Sequence, residues 1–85
     1  MSRKGSTFLK CEVRRGMFSD ERVVIVRHAD GETESFFVPE SAVNEARSVV
    51  RVELHGEAQP GAVVARVPTD VGEAYVTVRP TDIES

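Results

Sequence analysis

Apolar and polar residues alternate along several short stretches of this chain, with turn-forming residues between them. From Thr7 to Arg14, Leu9, Cys11 and Val13 fall on one face and Lys10, Glu12 and Arg14 on the other. That period of two is the mark of a half-buried strand. Arg15 to Asp20 breaks the alternation and reads as a loop, though it holds two large apolar residues, Met17 and Phe18. Glu21 to His28 carries Val23-Val24-Ile25-Val26, apolar on both faces, which predicts a central strand covered on both sides. Asp30-Gly31 between two strand-like runs predicts a tight hairpin, because Asp-Gly tolerates positive φ at the tip. Thr33 to Val38 is the returning strand, ended by Pro39, which lacks a ladder donor.

Glu40 to Arg47 is the one segment with helical character. Ser41 can cap a single turn there, with Glu45 near its start. Ser48 to His55 alternates again, and Gly56 to Gly61 is a turn by composition. Ala62 to Val67 is a fifth strand, stopped by Pro68. Thr69 to Glu73 is a turn, and Ala74 to Arg79 is a sixth strand, stopped by Pro80. Ile83 is expected to tuck back onto the mouth of the barrel. No repeat at a fixed period stands out.

Six short strands with Gly and Pro punctuation predict an all-β domain, a small, partly open antiparallel barrel with one short helical turn near 40–47. The strand count and loop spacing resemble those of SH3-like barrels. An OB-like barrel or a small β-sandwich is the alternative. Peptide-binding SH3 domains carry an Ala-Leu-Tyr-Asp-like stretch and a tryptophan pair. This chain has no tryptophan, and its one tyrosine, Tyr75, lies in the sixth strand, so polyproline recognition is not implied. Residues 1–6 read as a flexible basic tail and residues 7–85 as a single barrel domain.

Composition strengthens the all-β reading. The 85 residues include fifteen valines and two leucines, and thirteen of those valines fall in the expected strands, Val43 and Val71 being the exceptions. β-Branched side chains fit a pleated sheet and crowd a helix. The single cysteine, Cys11, has no partner for an internal disulfide, which suits the reducing cytoplasm. No apolar run has the length of a signal peptide or a membrane span.

Charge is spread unevenly. Residues 1–30 hold seven basic and four acidic side chains, against four and ten in the remainder. Lys10, Arg14, Arg15, Arg22 and Arg27, with Phe18 close in sequence, are therefore candidates for a nucleic-acid face. Small barrels bind single strands by stacking bases on aromatics within a basic groove. The net charge of −3 argues against that reading, since non-specific binding rests on neutralising phosphates.

Other chemistry has less support. Cys11, His28 and His55 are too far apart in sequence for the paired ligands of a zinc site, so no metal and no cofactor are expected. Cys11 shares a face with Leu9 and Val13, where a thiol is normally inert. No nucleophile elbow, P-loop or zincin motif is present. The chain is therefore expected not to be an enzyme, the exception being chemistry at an exposed Cys11.

The adjacent Phe36 and Phe37 must point to opposite faces of a strand. With Phe36 packed inward, Phe37 projects outward. Met17, Phe18 and Phe37 are then the candidate protein-binding residues. The bland alternative makes Met17-Phe18 a lid over one end of the barrel and tucks Phe37 beneath a neighbouring segment. A cytoplasmic protein-interaction module, monomeric or weakly dimeric through an edge strand, is the expected function. Nucleic-acid binding through the Arg14/Arg15/Phe18 side is the alternative.

Overall fold

The computed structural model describes residues 7–84, and the tail expected over residues 1–6 lies outside that range. Its strands form two antiparallel sheets. Strand β1 (Thr7–Lys10) and strand β2 (Glu12–Arg15) are one run of chain broken at Cys11, whose N–H donates to the Ser48 carbonyl at 3.0 Å. The break sends the chain from one sheet into the other. β2 pairs with β3 (Glu21–Arg27), and β3 with β4 (Thr33–Pro39). A 3-10 turn at Glu40–Ala42 leads into β5 (Val43–Asn44). The long β6 (Val49–Gln59) pairs β5 and β1 with its first half and β7 (Ala62–Thr69) with its second. β8 (Gly72–Val78) returns along β7, and a second 3-10 turn at Pro80–Asp82 leads into β9 (Ile83–Glu84), which pairs with β1.

Four expectations need correction. The all-β expectation holds, but no closed barrel forms, because the two sheets do not close on each other. The outer edges of β4 and β8 each receive a single backbone hydrogen bond from a hairpin tip instead of a strand. β3 is fully buried on one face, at Val24 and Val26, while Val23 and Ile25 opposite are half-buried. The turn expected at Gly56–Gly61 shrinks to its last residues, because β6 bulges near Gly56 (φ +107°) and pairs on to Gln59. β7 continues through Pro68, where it has β8 on one side alone and a missing N–H matters less.

The registers reveal a repeat that the residue types conceal. The pairs Glu12–Ile25 and Val13–Val24 recur as Glu53–Arg66 and Leu54–Ala65, each 41 residues on. One residue is then lost in the second hairpin. From β4 onward the offset is 40: Val24–Phe36 recurs as Ala65–Val76, and Val43 of β5 as Ile83 of β9. The chain is thus two copies of one unit, a bent strand, a hairpin, a 3-10 turn and a short strand. Leu9 of the first copy matches Val50 of the second, and these two pair with each other, so a pseudo-twofold axis passes between them. Both are fully buried.

Hydrogen bonds at the hairpin tips obey the same symmetry. Ala29 N–H donates to the Thr77 carbonyl at 2.8 Å, and Asp70 N–H to the Phe37 carbonyl at 3.0 Å. Each copy's hairpin tip clips onto the other's outer strand. The core between the copies is Leu9 with valines and alanines: Val24/Ala65, Val26/Val67 and Val38/Val78 are matched pairs, all buried. Each fully buried valine contributes about 1.5–3 kcal/mol from apolar burial.

Candidate protein-binding cleft

The clip from Asp70 to Phe37 shapes one cleft. β4 turns Phe36 against the core and Phe37 outward, where it is 49% exposed. The β7–β8 tip, held on the Phe37 carbonyl, sets Val71 beside it at 97% exposure. Phe37, Val71, Ala74, Glu21 and Asp70 line a cleft of about 480 Å³. The carboxyls of Glu21 and Asp70 hydrogen-bond to each other. That contact, with the Met17 N–H donating to Glu21 Oε1 at 2.9 Å, holds Glu21 below the usual carboxylate range. The same contact, with desolvation and nearby Asp20, pushes Asp70 up from its ordinary value. Two carboxyls in contact cannot both ionise freely.

Met17 and Phe18 lie on the loop that supplies the Glu21 contact and are 80% and 67% exposed, so they form no lid among the described residues. They line a second cleft, with Arg14, Arg15, Arg22 and Glu45.

The pseudo-twofold gives the first cleft a counterpart. Phe37 and Val71 match Thr77 and Asp30, which line a cleft with His28 and Ala29 at the other hairpin tip. Position by position, Met17 and Phe18 match Ala58 and Gln59. The same backbone therefore carries polar or small residues at one set of positions and large apolar ones at the other. The fold itself does not demand exposed Phe37 and Val71.

The basic residues line two clefts. Lys10 and Arg27 line one with Arg79, Glu12 and Asp82, and Arg14, Arg15 and Arg22 line the other. Arg14 pairs with Glu12. Arg22 is 17% exposed, held by Glu45 Oε2 at 2.6 Å, Glu40 Oε2 at 3.4 Å and the Ser19 carbonyl. Intramolecular carboxylates thus occupy two of the five candidate cations.

Cys11 is half-buried at the β1–β2 break, and burial pushes its thiol up to about 11. His28 Nε2 lies 2.7 Å from Glu34 Oε1, and His55 packs edge-on to Tyr75 with 5.2 Å between ring centroids. The three residues weighed as metal ligands thus sit in different surroundings. Among the described residues, no helix is long and apolar enough to cross a membrane. The reading from sequence missed Val71, taken as a turn residue, and Asp70, whose partner Glu21 is far away in the chain.

No family model, curated protein or solved structure matches this chain. The expectation that it is not an enzyme is corrected on that finding: it rested on missing motifs, and no relative matches from which catalysis could be excluded.

Proposed function

We propose that the chain is a protein-recognition domain that takes an apolar segment of its partner into the Phe37–Val71 cleft, with Met17 and Phe18 on the adjoining loop. The observation that carries this reading is the contrast between the two copies: Phe37 and Val71 stand where the other copy has Thr77 and Asp30. Exposed large apolar residues that the fold does not require point to a contact with another molecule. The aromatic ring at the cleft is the kind of anchor that concentrates binding energy. Nucleic-acid recognition is less well supported, because the candidate cations are divided between clefts and partly paired. The lone Cys11 supports a cytoplasmic setting.

The test is photo-cross-linking in cells with benzoylphenylalanine in place of Val71 or, as control, Asp30. Position 71 should give a discrete partner adduct that position 30 does not. Phe37→Thr should abolish it. That substitution installs the residue of the other copy, so stability should change by no more than about 0.5 kcal/mol. No discrete adduct at position 71, or the same products from both positions, overturns the proposal.

A further inference from the structure

The acidic pair beside Phe37 narrows the chemistry of the occupant. Glu21 from β3, Asp70 and Glu73 from the β7–β8 hairpin, and the apolar Phe36, Phe37, Val71 and Ala74 all line the cleft, and no Lys, Arg or His does. Glu73 is already paired, at 3.3 Å, with Arg66. Glu21 and Asp70 have no cation among the described ion pairs and face each other instead. β4 contributes Ser35 and the two phenylalanines, none of them charged, and Asp20 adds a third negative group near Asp70.

At the matched positions of the other copy the pair is Ala62 and Ala29, so the fold does not need the two carboxyls any more than it needs Phe37. Both departures from symmetry, the apolar surface and the uncompensated acids, fall in the same cleft.

We propose that the Phe37–Val71 cleft receives an apolar side chain or segment that carries a cation, with the cation seated against Glu21 and Asp70. This rests on the protein-recognition reading and adds the partner's chemistry: a lysine or arginine next to an apolar residue. A cation seated between the two carboxyls favours the ionised form of both. Affinity therefore rises with pH as Asp70, held above its ordinary value, loses its proton, and levels off once both groups are ionised.

The experiment uses the full chain and two small probes of nearly equal shape, phenethylammonium and 2-phenylethanol, followed by amide chemical shifts as pH is lowered from 7.5 through the carboxylate range. Both should shift Phe37 and Val71. The ammonium should bind about fivefold more tightly near pH 7, the order expected of a partly exposed ion pair. Its advantage should shrink on acidification, while the alcohol's affinity stays flat. Asp70→Ala, which installs the residue of the other copy, should erase the advantage and leave the spectrum otherwise native. Equal binding of the two probes overturns the cation proposal and leaves protein recognition standing. An advantage that survives in both Asp70→Ala and Glu21→Gln also overturns it. Failure of both probes to move Phe37 and Val71 overturns the cleft as a docking site altogether.

Discussion

Cys11 joins local structure to chemistry in one side chain. It sits where the first strand leaves one sheet for the other, and partial burial disfavours its thiolate. With the thiol at about 11 when folded, against 9.0 for the free group, thiolate at pH 8 is about a hundredfold scarcer in the native protein. Labelling by a disulfide reagent should therefore be slower than in urea by at least that factor, and a native rate equal to the unfolded one would show the burial to be wrong. The linkage has a definite sign. The folded state holds the proton more tightly, so this contribution to stability is complete below pH 9 and is lost as pH rises toward 11. The outward aim of Phe37 was legible at this level too, because Phe36 and Phe37 are neighbours in a strand and cannot share a face. The exposure of Val71 was not legible. A valine between Asp70 and Gly72 reads as turn filler until the tip is seen clipped to β4.

Hairpins carry the next level of organisation. Asp30-Gly31 and Val71-Gly72 place a glycine with positive φ, +95° and +138°, at matched points of the two tips. Both tips then reach across to the opposite outer strand through one backbone N–H, that of Ala29 or Asp70. Amides in hairpin tips ordinarily exchange fast, since tips open locally at little cost. These two should be slow, with protection approaching that of the neighbouring strands, and Val71 should be fast. Hydrogen exchange followed by NMR separates the cases, and fast exchange at both Ala29 and Asp70 would mean that the clips do not persist in solution. The clips also occupy edges that would otherwise offer unpaired groups to another chain.

The pseudo-twofold accounts for the shape of the molecule and makes a claim about its connectivity. β5 pairs Asn44 with Val49, and residues 45–48 join these across a turn with Ser48 at φ +57°. The matched place in the other copy is the Glu84–Phe8 pair of β9 and β1, where the described residues begin and end. The two junctions are equivalent in the fold, and one of them is covalently closed. A circular permutant that joins residue 85 to residue 1 and opens between Ala46 and Arg47 should therefore fold to the same structure. Its melting should remain cooperative, with Tm within about 8 °C of the parent, the shift that roughly 1 kcal/mol produces in a domain of this size. A molten or unfolded permutant would mean that the 45–48 turn is needed to nucleate the fold, which pairing of the copies alone does not require.

Alternation of side chains and the excess of valine were enough to establish an all-β chain and most of its strands, because the period of a strand is a local property. They could not reveal the repeat. Glu12/Glu53, Val23/Val64, Val26/Val67, Gly31/Gly72 and Val38/Val78 match, yet most other paired positions differ, and the residue lost in the second hairpin shifts the offset from 41 to 40. Whether the strands close into a barrel depends on where β1 breaks and on which edges meet, and these are long-range contacts that no local pattern encodes. The cleft is likewise a product of tertiary structure. Glu21 and Asp70 are distant in sequence and become a pair because one backbone bond fixes the tip of β7–β8 on β4. The valines specify a sheet with two apolar faces. Packing of one copy against the other covers most of that surface, and leaves Phe37 and Val71 exposed.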